Sequence, residues 1–273
     1  MRLVLALFTM VLAYGVAHAQ STLQQNLTAQ KLPTYSGNLS LGYNSNLVEQ
    51  ESSQYRSSLS GDLTLNYRLQ GAHLLRGYFG GYKELTQNEE WKPNDGFLAW
   101  VNNAFWHRSS KLIVGQQVRL NLPYSKESRV RDTKLAGVSV APLFMVNLAP
   151  SVMFIYLPQG IRNFHTYEQT RLGTSNPEYT FSNLGVLVWS VTDAVYLQGV
   201  ASHSQSWAYS GRRRDPAYSA SGEAGYSFKG GLTLAAGWSN GGVMRRFEQG
   251  TDQSFEVFNN KTSTVYSALY WVF

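Results

Sequence analysis

The sequence predicts an all-β chain: a transmembrane, antiparallel, up-and-down β-barrel of about twelve strands, joined alternately by short turns and long loops. Three observations predict it. Hydrophobicity alternates with a period of two in many short segments, the connectors alternate strictly between short and long, and 14% aromatic residues accompany only 15% charged ones at a mean hydropathy of −0.26. Amphipathic strands with aromatic-rich ends produce such a mixture, whereas a soluble globule of 273 residues seldom does.

From the N-terminus, Arg2, an apolar run from Leu3 to Val16 and the small-x-small site Ala17-His18-Ala19 read as a secretory signal over residues 1–19. Residues 20–36 then form a short N-terminal segment, and the barrel is expected over 37–273. The run is too short for a lasting membrane helix, and no cysteine follows the site to carry a lipid. With no cysteine anywhere, stability must come from packing and strand pairing. Beyond the signal the chain keeps 22 Lys and Arg against 17 Asp and Glu, a net charge of +5 spread along its length, which gives no reason to expect nucleic acid as a partner.

Residues 55–70 show the period of two most cleanly. Leu59, Leu63, Leu65, Tyr67 and Leu69 share one face, and Arg56, Ser58, Asp62, Asn66 and Arg68 share the other. Similar segments recur at 37–46, 55–69, 73–84, 96–107, 111–122, 132–145, 151–162, 179–190, 194–207, 217–228, 232–243 and 259–273. Each is near the length of about 9 to 11 residues that a tilted strand needs to cross a bilayer. The uncharged run 135–161 is long enough for a membrane helix, yet Pro142, Pro150, Pro158 and Asn147 interrupt it, so it reads as two strands turning at 147–150. Segments near 73–84, 151–162 and 179–190 are apolar on both faces, and their facing stays open.

Short connectors fall at 70–72, 108–110, 147–150, 191–193 and 229–231; long polar ones fall at 46–54, 86–95, 123–131, 163–178, 208–216 and 244–253. Five turns and six loops give an even strand number with both termini on the side of the turns, the periplasmic side in bacterial barrels.

The last segment ends Val265-Tyr266-Ser267-Ala268-Leu269-Tyr270-Trp271-Val272-Phe273. It resembles the terminal strand of bacterial outer-membrane β-barrel proteins, with Val265, Leu269, Trp271 and Phe273 on the alternating positions and Ser267 departing from them. The resemblance implies a bacterial outer-membrane location, surrounding lipid and lipopolysaccharide, and recognition of that strand by the barrel assembly machinery. It names a superfamily of channels, adhesins, lipid-modifying enzymes and structural proteins, not one activity.

The strand pattern turns Arg56, Asp62, Arg68, Arg119 and Glu223 inward, with Asn66, Gln117, Asn121, Gln198 and Thr233 around them. A hydrated lumen with fixed charges would select solutes; an interior plugged by paired charges is the alternative. Twelve strands lie between small filled barrels and the 16- to 18-stranded porins, so any passage is narrow. Tyr67, Phe228, Trp271 and Phe273 near the turn side, and Tyr218 and Trp238 near the loop side, read as interfacial anchors.

Outside, Gly199, Ala201, Ala220, Gly222, Ala224 and Ala236 offer a small-residue face where a second barrel would pack, making a homo-oligomer an expectation. Arg212, Arg213, Arg214, Arg245 and Arg246 in neighbouring loops suit lipopolysaccharide phosphates or simply solvent.

Catalysis finds little support. A twelve-stranded outer-membrane phospholipase would need His-x-Ser-Asn on one strand, and His203-Ser204-Gln205-Ser206 puts Gln205 where the nucleophile belongs. A barrel protease would need clustered acids and a His at the loop rim, where only His165 and Glu168 occur. The histidines have no metal-ligand spacing, and no cofactor motif is present. The expectation is therefore a non-enzymatic, porin-like barrel passing small hydrophilic solutes, with a non-conducting oligomeric, lipid-organising protein as the alternative and a phospholipase as the remote one.

Overall fold

The structure is a computed structural model that describes residues 34–48, 52, 54–86, 90–109, 111–244, 257–259 and 262–273. The signal expected over residues 1–19 lies outside them, as do Arg245 and Arg246 and parts of the loops at 46–54, 86–95 and 244–253.

Twelve long strands close into a barrel: β1 (Tyr35–Asn46), β2 (Ser57–Arg68), β3 (His73–Glu84), β5 (Gly96–Ser109), β6 (Leu112–Leu122), β7 (Lys134–Ala149), β8 (Val152–His165), β9 (Pro177–Ser190), β10 (Val195–Ala208), β11 (Ala217–Ser227), β12 (Leu232–Val243) and β13 (Thr264–Val272). The short β4 (Trp91–Pro93) lengthens the second external loop along the upper end of β3. Each of the twelve long strands pairs antiparallel with the next around the ring, and β1 pairs with β13 to close it. Closure leaves no unpaired edge, the condition for placing strands in hydrocarbon.

The expected strands at 73–84 and 232–243 match β3 and β12. One turn moves: β7 continues through Asn147 and Leu148, and Ala149 pairs with Val152 across Pro150-Ser151. Proline and asparagine favour turns, but cross-strand pairing of Asn147 with Met153 outweighs that preference here. The third external loop holds a single π-turn over Glu127–Arg131. At the opposite end, Gly230 and Gly231 adopt φ of 97° and 85°, left-handed values that let the three residues 229–231 reverse the chain under a Phe228 N–H bond of 2.7 Å to the Leu232 carbonyl.

The outward faces are apolar. Leu41, Leu59, Leu65, Leu75, Phe79, Leu98, Val140, Leu187 and Leu234 are all exposed, a band suited to lipid. At the periplasmic rim, rings meet in pairs: Tyr35 and Tyr67 at 5.1 Å, Tyr226 and Phe228 at 4.8 Å, and Trp271 and Phe273 at 5.2 Å between centroids. Val265, Leu269, Trp271 and Phe273 all lie on the exposed face. The backbone of Phe273 exchanges hydrogen bonds of 2.8 and 3.1 Å with Gly37, fastening the end of the chain to β1.

Two outward positions in the middle of the wall break the ladder. Pro142 on β7 and Pro158 on β8 stand in register, since Val140 pairs with Gly160 above them and Phe144 with Tyr156 below, and no pairs form between residues 141–143 and 157–159. The ladders on their other sides are intact, Pro142 opposite Gln116 of β6 and Pro158 opposite Asn183 of β9. Because N–H and C=O of one residue point to the same neighbour in an antiparallel sheet, each proline turns its missing donor toward the other.

Candidate functional site: the lumen

The inward faces divide into four neighbourhoods. On β3 and β5, Leu74, Tyr78, Phe97, Ala99 and Val101 pack together, with Tyr78 stacked on Phe97 at 5.3 Å. Next to them, on β6 to β10, lies a larger apolar wall of Ile113, Ala141, Met145, Ile155, Leu157, Leu184, Val186, Val188 and Val200. Beyond it sits a carboxylate network on β10, β11 and β13. The fourth neighbourhood is basic.

Its core is one cross-strand row: Asn66 faces Arg76, Arg76 faces Ala99, Ala99 faces Arg119 and Arg119 faces Ser139. The two arginines therefore flank one alanine, their backbones two strand spacings apart, about 9.6 Å. Arg76 Nε donates to Asn66 Oδ1 at 2.8 Å. The Gln117 carbonyl, its amide turned toward the guanidinium, accepts from Arg119 Nε and Nη2 at 3.0 and 2.8 Å. Arg119 also lies 4.0 Å from the Phe97 ring centre, a cation–π contact. These partners are neutral. Ion pairs such as Lys92–Glu84, Arg131–Asp132 and Arg162–Glu178 belong to the external end.

Two inward acids, Asp62 and Glu223, are held by hydroxyl groups. Asp62 accepts from Tyr78 and, at 3.4 Å, from Ser40. Glu223 accepts from three phenols: Tyr196 at 2.7 Å, Tyr266 at 3.0 Å and Tyr270 at 2.9 Å. Two glycines make that arrangement possible. A Cβ at Gly225 would collide with the Tyr196 ring, and one at Gly237 would meet Tyr266 at 2.6 Å and the Gly222 carbonyl at 2.5 Å. A charged acceptor with three donors is among the stronger hydrogen-bond arrangements in a protein. It fixes one wall of the lumen.

Asp62, Arg119 and Glu223 thus line the interior on these networks, while Arg56 and Arg68 stand at the two ends of β2. Arg56 sits at the external mouth, where its backbone N–H donates to Asn46 Oδ1 at 2.9 Å; Arg68 sits at the periplasmic mouth, where its N–H donates to the Thr34 carbonyl at 2.8 Å. Sequence reasoning missed Arg76 and the tyrosines around Glu223. Arg76 lies on a strand whose two faces are both apolar, and only its register opposite Asn66 identifies it.

The outer candidates are set differently. Gly199 opens on empty space, but a Cβ at Gly222 would lie 2.9 Å from the Trp238 indole, so the chain's own ring covers that position. Ala220 is buried, and Ala201, Ala224 and Ala236 are exposed. In the fifth external loop Arg212 is exposed, whereas Arg213 Nε is engaged by the buried Gln205 at 2.5 Å.

At the external end, β8 outlasts the about 11 residues that a tilted strand needs in a bilayer, so His165, its last residue, stands clear of the hydrocarbon. His165 Nδ1 lies 3.1 Å from the Tyr209 hydroxyl, which donates to the Asn163 carbonyl at 2.9 Å. Burial, with Lys134 and Arg214 adding repulsion and Asp132 opposing, pushes the His165 pKa down from 6.5 to about 4. Around it, the third and fourth external loops are laced together: Thr166 N–H donates to Thr133 and Arg171 N–H to Arg131, both at 2.9 Å, while Asn176 Nδ2 reaches the Asp132 and Tyr167 carbonyls at 2.8 Å.

No family model matches the chain, and no curated protein matches its sequence. Solved structures do match. An outer membrane channel of the COG4313 group from Pseudomonas putida F1 aligns over 90% of this chain and 98% of its own, at 12% identity and a TM-score of 0.59. The NanC porin aligns over 86% of this chain and 98% of its own, at 9% identity and a TM-score of 0.54. At such identities the likeness is one of fold: the fold is that of bacterial outer-membrane β-barrels.

Proposed function

We propose that this outer-membrane barrel is a narrow, porin-like channel for small hydrophilic solutes, and that it prefers anions. The single observation that carries the reading is the row Arg76–Ala99–Arg119, two inward guanidiniums whose partners among the described residues are neutral, while Asp62 and Glu223 are covered by hydroxyl donors. A donor pair of this kind stabilises a passing carboxylate or phosphate and repels cations, and a low-dielectric wall strengthens the effect. The fold likeness to a channel and a porin supports passage rather than catalysis. On β10, Gln205 stands two residues after His203, where a phospholipase of the His-x-Ser-Asn kind places its nucleophile.

Reconstitution into a planar bilayer tests this reading. Stepwise conductance that survives repeated insertions is expected. A folded barrel that inserts but stays silent would leave the non-conducting, lipid-organising alternative in its place.

A further inference from the structure

We propose that the lumen is built for zwitterions: Glu223 and its three phenols seat the ammonium end of a short peptide whose carboxylate the Arg76–Ala99–Arg119 row holds from across the barrel. The proposal rests on the anion-preferring channel described above and names the class of solute that it passes.

The two groups stand opposite each other at one height. In the ring of twelve strands, β5, which carries Ala99 between the arginines, lies six strands from β11 in either direction. Register fixes the height. From Glu223 the rungs run through Gly237, Tyr266 and Asn44 to Ser58, which lies eight residues to the external side of Asn66, where the arginine row begins. The other way they run through Gln198, Val188, Met153 and Asn147 to Lys111, eight residues to the periplasmic side of Arg119. Either path thus reaches Ala99 after six strands and eight residues, taken in opposite senses along the strands. The rise from strand tilt cancels at that half turn, so Ala99 and Glu223 are level.

Charge is sorted between the two sides. Strands β9 to β13 and β1 contain no lysine or arginine, and Glu223 is the acid in their midst, with Glu178 at the external end of β9. Strands β5 to β8 contain no acid. Asp62 on β2 offsets one of the two guanidiniums and leaves that side positive. A solute with one charge finds an attractive wall and a repulsive one, whereas a zwitterion finds two attractive walls.

The span suits a peptide. Strands about 4.8 Å apart and tilted by about 40° make a ring of twelve about 24 Å across. Side chains reach in about 5 Å from each wall, and hydrogen bonds take about 3 Å at each end. About 8 Å is left, the length of two or three extended residues.

The acidic side also has room for an ammonium group. A carboxylate offers about four acceptor positions. Tyr266 and Tyr270 share Oε2, and Tyr196 takes one position on Oε1, which leaves one open. Gln198, in register with Glu223, is 6% exposed, and its Oε1 has no partner among the described residues. An ammonium brings three donors, enough for both oxygens, and the neighbouring phenol rings stabilise a cation.

Triglycine, N-acetyl-triglycine and triglycine amide differ only in end charge and so separate a zwitterion from its anion and its cation. Calorimetry on the barrel folded in detergent reads their binding whether or not the barrel conducts. Triglycine should bind at least tenfold more tightly than either capped peptide. Glu223→Gln, which keeps an acceptor for the phenols, should lower triglycine to the level of N-acetyl-triglycine, while Arg76→Gln/Arg119→Gln should weaken both of these peptides together. The comparison of the three peptides on the unaltered barrel needs no variant, so a misfolded substitution cannot mask the outcome. Triglycine held no more tightly than N-acetyl-triglycine, or a preference that folded Glu223→Gln retains, overturns the proposal. A barrel that is silent in planar bilayers yet prefers triglycine in the calorimeter would overturn the channel alone; an anion-selective channel without that preference would overturn the zwitterion seat alone.

Discussion

At the scale of single residues, the lumen is organised by how each charge is partnered. Glu223 has three phenolic donors, so Glu223→Ala removes three hydrogen bonds to a charged group and strands the phenols. With such bonds worth about 1.5 to 3 kcal/mol each and not additive, a loss of about 3 kcal/mol is expected, measured as a lower urea midpoint for the folded, heat-modifiable band on a gel. His165 gives a pH dependence with a definite sign. Its pKa lies at about 4 in the folded chain and 6.5 in the unfolded one, so the unfolded chain binds the extra proton first. The stability from keeping the ring neutral is whole above pH 6.5 and is lost as pH falls toward 4. Thermal unfolding in detergent should therefore shift downward over that window, and His165→Gln should flatten the shift. Asp62, Arg119 and Glu223 were legible in the sequence because their strands alternate. Arg76 was not, because Leu74 and Tyr78 beside it on the inward face are as apolar as Leu75 and Phe79 outside. A period of two disappears when the interior of a narrow barrel is itself packed with apolar side chains.

At the scale of elements, the same cause hid the facing of β8 and β9: Ile155, Leu157, Val186 and Val188 face inward as one apolar wall. Strand number and order survived that ambiguity, since connectors alternate in length whatever the facing. The turn after β7 was misjudged because proline and asparagine are turn formers by local preference, whereas Asn147 is held in the ladder by β8. The partnering of strand residues also decides what glycine tolerates. On β12, Gly237→Val must displace the Tyr266 ring and press on the Gly222 carbonyl, whereas on β10, Gly199→Val enters open space on the lipid face. Overpacking of this kind costs about 1 to 3 kcal/mol. Gly237→Val should lower the urea midpoint accordingly and Gly199→Val should leave it unchanged, unless Gly199 meets a second barrel. In that case cross-linked oligomer in native membranes would decrease for Gly199→Val while the fold stayed intact.

At the scale of the whole molecule, the barrel is asymmetric around its circumference. The β3–β6 side carries the two arginines, the β6–β10 side the apolar wall and the two prolines, and the β10–β13 side the Glu223 network. The aromatic pairs at the periplasmic rim and the Phe273–Gly37 closure complete the ring. Deletion of Phe273 removes both the closing contact and the terminal aromatic residue, and less folded protein should then reach the outer membrane, read as heat-modifiable protein in membrane fractions. Charge selectivity is a property of the assembled lumen and is the most direct test of it. Reversal potentials across a potassium chloride gradient should show anion preference for the unaltered protein, and Arg76→Glu/Arg119→Glu should reverse the sign. Cation preference in the unaltered protein, or a reversal potential that both substitutions leave in place, would contradict a lumen whose two unneutralised arginines govern passage.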